Sequence, residues 1–214
     1  MPVIVPASHE GREENVRKSC ISLAFLFVAL VLASNARAAD VYVMRGLAAF
    51  LFPNVMYPLA GEIRKRGHNV DMTSYQAANR IVREITEKKR KRPGTKIALV
   101  GHSLGGNAVT SILQALAKEG IKIEYAAVID APDPRPIAPA VGIVDNFYQF
   151  DGSRKPVLVA QDRRKTQINQ YNFRGKRGED GGPGAMKDKK GHLSIATDPF
   201  VTSRIMMMID RLGK

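Results

Sequence analysis

The feature that most constrains the fold is a short apolar strand that runs through a glycine-rich turn into an apolar helix. Residues 96–101 read KIALVG, the continuous apolar pattern of a strand buried in a parallel sheet. The turn continues as HSLGG at 102–106, and apolar residues then recur at helical spacing as far as Gly120. A strand, a tight turn and a helix in this order predict a βαβ unit and therefore an α/β protein.

The same alternation extends over most of the chain. Strands are predicted at 41–46, 69–75, 123–130, 144–150 and near 166–173, and the segment 156–160 is also predicted to be extended. Helices are predicted at 55–66, at 76–92, from Leu104 to Gly120, and after the pair Asp198-Pro199. We therefore expect one domain with a mainly parallel sheet of about six strands flanked by helices.

Residues 1–38 have the pattern of a secretory signal. Arg17 and Lys18 precede an uncharged apolar run at 21–33, and ARA at 36–38 is a small-residue cleavage pattern. The apolar run is short for a membrane span, which needs about 20 residues. We expect cleavage after Ala38 and export to the periplasm or the medium, with residues 39–214 as the mature domain. A buried helix or an uncleaved anchor is the alternative.

Composition restricts the chemistry and the partners. The only cysteine, Cys20, lies in the predicted leader, so the domain has neither a disulfide nor a cysteine-based zinc site. The chain has a formal charge of +13 and no tryptophan. Its basic clusters at 88–92, 163–165 and 187–190 have few aromatic neighbours, which argues against nucleic acid as a partner. We expect a solvated basic surface, with weak contact to an anionic envelope surface as the alternative.

The turn that contains Ser103 is the candidate reactive site. In a G-x-S-x-G turn between a strand and a helix, the serine hydroxyl is exposed on a strained turn. The two glycines allow close approach of strand and helix, and the helix N-terminus offers N–H groups to a developing oxyanion. This pattern predicts that Ser103 is a nucleophile. A phosphate-binding turn is the alternative, but the sequence has neither G-x-G-x-x-G nor a P-loop lysine.

The order of residues along the chain selects the base. In this arrangement the serine is followed by an acid and then by a histidine. His9 lies in the predicted leader and His68 precedes the serine, while His102 lies inside the turn with its side chain directed away from the nucleophile. His192 follows the last predicted strand and precedes the last helix, so we predict that His192 is the general base.

The residues alone leave the acid open between two aspartates. Asp130 ends the strand 123–130 in the sequence VIDAPDP, and Asp151 follows the strand 144–150. Asp133 and Asp162 are weaker alternatives. Aspartates close to proline and glycine often cap turns, so each of these residues also has a structural interpretation.

With GHSLGG at the turn, the sequence resembles the α/β-hydrolase superfamily, in particular its small lipases, esterases and thioesterases. The resemblance covers nearly all of the chain from Val41 onward. It implies Asp130 as the acid, because one lipase branch has its acid in an Asp-Pro-rich turn similar to VIDAPDP, although Ala131 interrupts the usual Asp-Pro pair. It also implies an oxyanion hole formed by the backbone N–H groups of Leu104 and Leu47.

The resemblance implies an exported serine hydrolase that cleaves carboxylic esters or thioesters through an acyl-enzyme, with no metal or other cofactor. A chain of this length has no room for a large lid domain, which favours an open site for small-molecule or lipid esters with short or medium acyl chains. The glycine-rich stretch 174–191 is either a small flap or a connector. Two alternatives stay open: an acyltransferase with the same triad, and a non-catalytic cationic protein that binds the envelope.

Overall fold

The structure is a computed structural model that describes residues 38–47, 55–149, 157–173 and 191–214. These residues lie in one compact unit, Arg37–Lys214. The predicted leader up to residue 37, Asp151, and all of the glycine-rich stretch except Gly191 lie outside the described residues. Among the residues that are described, no helix is both long and apolar enough to span a membrane.

A single sheet forms the centre of the described part of the chain, in the order β2-β1-β3-β4-β5-β6. Its strands are β1 (Asp40–Arg45), β2 (Asn69–Ser74), β3 (Ile97–His102), β4 (Ile123–Ile129), β5 (Val141–Tyr148) and β6 (Gln167–Asn172). Every neighbouring pair is parallel. The predicted fold class, a parallel sheet of about six strands flanked by helices, is confirmed.

Helices connect most of the strands, as a parallel sheet requires. They are α1 (Tyr57–Lys65), α2 (Ala78–Lys91), α3 (Leu104–Lys118) and α4 (Pro199–Leu212), with short 3-10 helices at Tyr75–Ala77 and Ser194–Thr197. The start of α4 is as predicted, because the Asp198 side chain accepts hydrogen bonds from the N–H groups of Phe200 and Val201.

Two apolar cores lie on the two faces of the sheet. Successive strand residues point to opposite faces. Val41 and Val43 of β1 therefore join a buried cluster with residues of α1 and α4. Tyr42 and Met44 join a second cluster with residues of α2 and α3. The face on which a strand residue lies thus decides which helices it meets.

The structure differs from the sequence-based expectation in two strand assignments. The strand predicted at 144–150 begins at Val141, where it pairs with Ile123 of β4. The segment predicted to be extended at 156–160 forms only a single bridge, between Ala160 and Ile137, within the residues described. The glycine at position 142 interrupts the apolar run that would have indicated the earlier start.

The basic cluster at the end of α2 is less solvated than expected. Lys88 lies 2.8 Å from Asp40, and Arg90 lies 2.9 Å from Glu119. Lys89 pairs with Glu124 at 2.9 Å, and its side chain is only 9% exposed. Only Lys89 departs from the expected solvated surface, since the Arg90 side chain is 66% exposed. The three ion pairs connect α2 to β1, β4 and the end of α3.

Candidate active site

Ser103 lies on a strained turn between β3 and α3. Its φ of 58° and ψ of −126° lie in a region that side-chain-bearing residues rarely adopt, at a cost on the order of 1–3 kcal/mol. The surrounding packing requires glycine on both sides. A Cβ on Gly101 would lie 2.2 Å from the carbonyl oxygen of Gly105, and a Cβ on Gly105 would lie 2.1 Å from that of Met44. The close approach of strand and helix is therefore what holds the serine in this conformation.

The structure brings His192 and Asp130 together. Nδ1 of His192 lies 2.6 Å from Oδ2 of Asp130. The Asp130 side chain is 3% exposed and that of His192 is 39% exposed. Because a carboxylate can only accept, Nδ1 of His192 carries a proton, and in the neutral ring Nε2 is then the nitrogen that can accept one.

Asp130 is held by backbone geometry and by Gln149. It follows β4 with a φ of 44°, and its N–H donates to the carbonyl of Phe147 at 2.7 Å. The side-chain Nε2 of Gln149 donates to Oδ2 of Asp130 at 2.7 Å, and the backbone N–H of Gln149 donates to Oδ1 at 3.3 Å. The buried carboxylate thus accepts three hydrogen bonds, one from His192 and two from Gln149. Gln149 is not among the residues predicted for the site, and its one signal in the sequence is its position directly after β5.

His102 contacts the segment that contains His192. Its Nε2 donates to the backbone carbonyl of His192 at 2.8 Å, and the two ring centroids are 4.7 Å apart. Burial lowers the pKa of His102 to about 4, although the hydrogen bond to the His192 carbonyl acts in the opposite direction. The ring is therefore neutral at neutral pH, with its proton on Nε2. The prediction that the His102 side chain points away from the nucleophile gives no indication of this contact.

The loop after β1 lies against Ser103. A Cβ on Gly46 would lie 2.8 Å from Cβ of Ser103 and 3.1 Å from its Oγ. Leu47 follows Gly46 and has a side chain that is 65% exposed. Leu104 is the first residue of α3. Leu104 therefore directly follows Ser103, and Leu47 directly follows the glycine that lies against Ser103; their part in an oxyanion hole stays a prediction.

His68, which is not predicted to be the base, lies at the amino-terminal ends of the strands, directly before β2. Its Nδ1 accepts a hydrogen bond from the N–H of Ala39 at 3.1 Å, immediately before β1. Its Nε2 lies 3.2 Å from Oδ1 of Asp210 in α4. His68 therefore connects structural elements far from Ser103. His9 lies outside the described residues.

The other aspartates considered for the acid have different surroundings. The backbone N–H of Asp133 donates to the side chain of Asn107 at 3.1 Å. The Asp162 carboxylate accepts a hydrogen bond from the N–H of Arg164 at 3.0 Å, in an exposed turn. Asp151 lies outside the described residues. Within the ranges that are described, no group of His, Cys, Asp and Glu side chains could hold a metal ion.

Comparison with known proteins gives one family and several structures. Residues 54–132, which include Ser103 and Asp130, match the family described as "Putative serine esterase (DUF676)". No similar protein was found among the curated proteins. A cutinase-like protein from Cryptococcus sp. is 17% identical, with a TM-score of 0.51 over 84% of this chain and 97% of that chain.

Two further structures are similar at a lower level. An acetyl xylan esterase is 13% identical, with a TM-score of 0.48 over 83% of this chain and 99% of that chain. The NocB thioesterase domain, in a covalent complex with a fluorophosphonate nocardicin G analogue, is 14% identical, with a TM-score of 0.47 over 84% of this chain and 96% of that chain.

The chain has the fold of the α/β hydrolases, as the resemblance of its sequence implied. The match of its central part to a serine esterase family supports ester hydrolysis as the class of activity.

Proposed function

We propose that this protein is a serine hydrolase in which Ser103 is the nucleophile, His192 the general base and Asp130 the acid that orients it. The observation that carries the proposal is the 2.6 Å contact between Nδ1 of His192 and Asp130. That contact lies at the carboxyl ends of the strands, as the strained Ser103 turn does, because Ser103 follows β3 and Asp130 follows the neighbouring strand β4. The serine esterase match over residues 54–132 supports the same reaction class.

The reaction proceeds in two acyl transfers. Nε2 of His192 accepts the proton of the Ser103 hydroxyl while Oγ forms a bond to the ester carbonyl carbon. The carbonyl π bond reforms as the bond to the alcohol or thiol breaks, and His192 gives its proton to that leaving group. Water then attacks the acyl-enzyme, with its proton passing to His192, and the acid is released as the proton returns to Ser103.

Buried hydrogen bonds at Asp130 support this role for His192. A carboxylate that accepts three hydrogen bonds in a 3%-exposed position is fixed as an acceptor and holds Nδ1 in the protonated tautomer. The oxyanion would accept hydrogen bonds from the N–H groups of Leu104 and Leu47. The contact of Gly46 with Ser103 supports the choice of this loop.

We propose small-molecule esters with short or medium acyl chains as substrates.

We also propose that residues 1–38 direct export and are removed, on the basis of the charged start, the apolar run 21–33 and the small residues at 36–38. Expression in a secreting bacterial host, followed by N-terminal sequencing, tests export, and the expected first residue is Ala39. Recovery of the uncleaved chain in the cytoplasm would contradict it.

A series of p-nitrophenyl esters that differ in acyl length, assayed with wild type and Ser103→Ala, tests the reaction. We expect hydrolysis by the wild type and a loss of at least about a thousandfold in Ser103→Ala. Ser111→Ala in α3 is the matched control and should keep wild-type activity. A fluorophosphonate should modify Ser103, as read by peptide mass spectrometry. Turnover that survives Ser103→Ala would reject the proposal, and absence of both turnover and labelling would favour a binding protein.

The acid is tested by a second pair of variants. We expect Asp130→Asn to lower kcat by about 10⁴-fold, since the amide would favour the wrong tautomer of His192. Asp151→Asn should have little effect.

Adding an alcohol acceptor to the assay distinguishes hydrolysis from acyl transfer, because a transferase would form the new ester in preference to the free acid.

A further inference from the structure

A cavity of about 520 Å³ lies at the amino-terminal ends of β1, β2 and β3. It is lined by Ala38, Asp40, Asn69 and the turn at 92–96, which connects α2 to β3. Its volume is within the range of small-molecule sites, about 300–1,000 Å³. Ser103 follows the other end of β3, so the length of that strand, about 17–20 Å, separates the cavity from the candidate nucleophile.

The carboxylate in the cavity lining, Asp40, is already paired. Its Oδ1 accepts a hydrogen bond from Nδ2 of Asn69, and its Oδ2 accepts one from Nζ of Lys88, both at 2.8 Å. Only 12% of its side chain is exposed. Burial acts to raise the pKa of the Asp40 carboxyl, but these two hydrogen bonds and the positive charges of Lys88 and Arg92 hold it below its usual value. Asp40 is therefore ionised at neutral pH, and its charge is balanced by that of Lys88.

Two cationic residues of the lining, Arg92 and Lys96, have no acidic partner in the described part of the chain. The preceding cations at 88–90 each pair with a carboxylate. Arg92 is close enough to Asp40 for its charge to lower the pKa of that carboxyl, but the carboxylate pairs with Lys88 instead. The charge balance of the cavity, with Asp40 offset by Lys88, is therefore about two positive charges.

The turn that carries these two cations is fixed at both ends. The N–H of Arg92 donates to the carbonyl of Lys88 at 2.8 Å, and the carbonyl of Lys96 accepts from the N–H of Asp40 at 2.8 Å. Within the turn, the N–H of Thr95 donates to the carbonyl of Arg92 at 3.0 Å. The backbone of the turn is therefore held beside the cavity before a ligand binds, which reduces the entropy lost on binding.

We infer that this cavity binds a phosphomonoester through Arg92 and Lys96. A phosphomonoester carries a charge of about −1.5 to −2 at pH 7, which matches the two unpaired cations. Its three terminal oxygens can accept from the planar fork of Arg92, the ammonium of Lys96 and the hydroxyl of Thr95. The cavity is larger than a phosphate group, so it also accommodates an organic part. A soluble phosphate ester and the headgroup of phosphatidic acid offer this same chemistry.

Calorimetric titration of the full chain with sn-glycerol 3-phosphate tests the site, and glycerol is the uncharged control ligand. The cavity variant combines Arg92→Gln with Lys96→Gln and removes both unpaired cations. The matched control variant combines Arg83→Gln with Lys118→Gln, which removes the same charge at two exposed positions outside the cavity lining. Thermal unfolding of each variant shows that the fold is retained.

We expect the wild type to bind glycerol 3-phosphate but not glycerol. The cavity variant should bind the phosphate ester at least about tenfold more weakly, because two charge-assisted contacts are lost, and the control variant should bind it as the wild type does. Raising the salt concentration should weaken binding by the wild type. Failure of the wild type to bind glycerol 3-phosphate overturns the inference. Equal weakening in the control variant also overturns it, since binding would then depend only on the overall positive charge.

Co-sedimentation with phosphatidylcholine vesicles, prepared with and without phosphatidic acid, distinguishes the two sources of the phosphate. Binding that requires phosphatidic acid and is lost in the cavity variant assigns the lipid headgroup, whereas binding of glycerol 3-phosphate alone assigns a soluble ester. The cavity variant should hydrolyse p-nitrophenyl esters at the wild-type rate, because its two substitutions lie at the opposite end of β3 from Ser103. None of the binding measurements needs turnover, so this inference and the proposed function can fail separately.

Discussion

His102 donates a hydrogen bond of 2.8 Å from its ring Nε2 to the backbone carbonyl of His192. The residue immediately before the candidate nucleophile therefore holds the chain at the candidate base, across 90 positions of sequence. The two side chains also face each other at 4.7 Å between ring centroids. This contact makes the placement of His192 depend on a donor at position 102.

We expect His102→Leu to lower kcat by about tenfold, because the His192 carbonyl loses its donor. His102→Gln should recover much of this loss, since its amide nitrogen lies close to the position of Nε2. KM should change little in either variant. Steady-state kinetics on a p-nitrophenyl ester, together with thermal unfolding, gives the measurement. Equal activity of the Leu and Gln variants at equal stability would show that the hydrogen bond does not position the base.

The stability of the protein should depend on pH through His102. Its folded pKa of about 4 lies below its usual value of 6.5, so the unfolded chain binds the proton more readily. The stabilisation is complete above pH 6.5 and is lost as the pH falls toward 4. The loss amounts to about 3 kcal/mol by pH 4, at 1.36 kcal/mol for each pH unit.

Urea unfolding of wild type and His102→Gln between pH 7.5 and pH 4 measures this dependence. The free energy of unfolding of the wild type should fall relative to that of the variant across the window from 6.5 to 4. Parallel curves for the two proteins would mean that His102 titrates at the same pH in the folded and unfolded states.

Gln149 should be required for full activity because its side chain donates to Asp130 at 2.7 Å. Gln149→Leu removes this bond, and we expect kcat to fall by about tenfold. Gln149→Glu adds a second carboxylate beside Asp130, which favours protonated imidazole and should move the acid limb of the kcat profile to higher pH. Gln114→Leu is the control, because the Gln114 side chain donates to the carbonyl of Pro136 at the surface. A pH profile that does not move in Gln149→Glu would argue against contact with the reacting pair.

Gly46→Ala should reduce activity through contact with Ser103. The new Cβ would lie 2.8 Å from Cβ and 3.1 Å from Oγ of the serine, so the loop or the serine must shift. We expect kcat to fall at least tenfold, since displacement of a reacting group by even 1 Å is costly. The measurement is kcat on a p-nitrophenyl ester.

Gly61→Ala is the matched control for this substitution. Gly61 lies inside α1, and a Cβ there has no neighbour within 4 Å. The change should stabilise the protein by about 0.5–1 kcal/mol without altering activity. Full activity of Gly46→Ala would mean that the loop after β1 adjusts freely and does not shape the site.

Much of the fold could be predicted because each element has a local signal. Strands such as β3 are buried on both faces and appear as continuous apolar runs, and α3 shows its apolar stripe up to Gly120. The start of β5 was missed because the signal was weak at Gly142. The ion pairs at the end of α2 were missed because Glu124 and Glu119 approach α2 only after the chain has folded.

The candidate site was predicted only in part. The order of serine, acid and histidine along the chain led to His192, and the resemblance to a lipase branch led to Asp130. The structure places these two side chains 2.6 Å apart; their roles stay predictions. The contact of His102 was not found, although alternation along β3 puts its side chain on the face of Val100. Which loop covers that face depends on the packing of α4 and cannot be inferred from local spacing.

Ser103 and Asp130 are the two non-glycine residues with positive φ in the described ranges, and they follow neighbouring strands. The N–H of Ser103 donates to Ile129 at the end of β4, and the N–H of Asp130 donates to Phe147 in β5. Each positive φ is thus held by a hydrogen bond to the neighbouring strand. A small separation of the carboxyl ends of these strands would break the bonds and let both residues relax to a favourable φ. We therefore expect that, on gradual heating, this protein loses activity at a lower temperature than it loses its secondary structure.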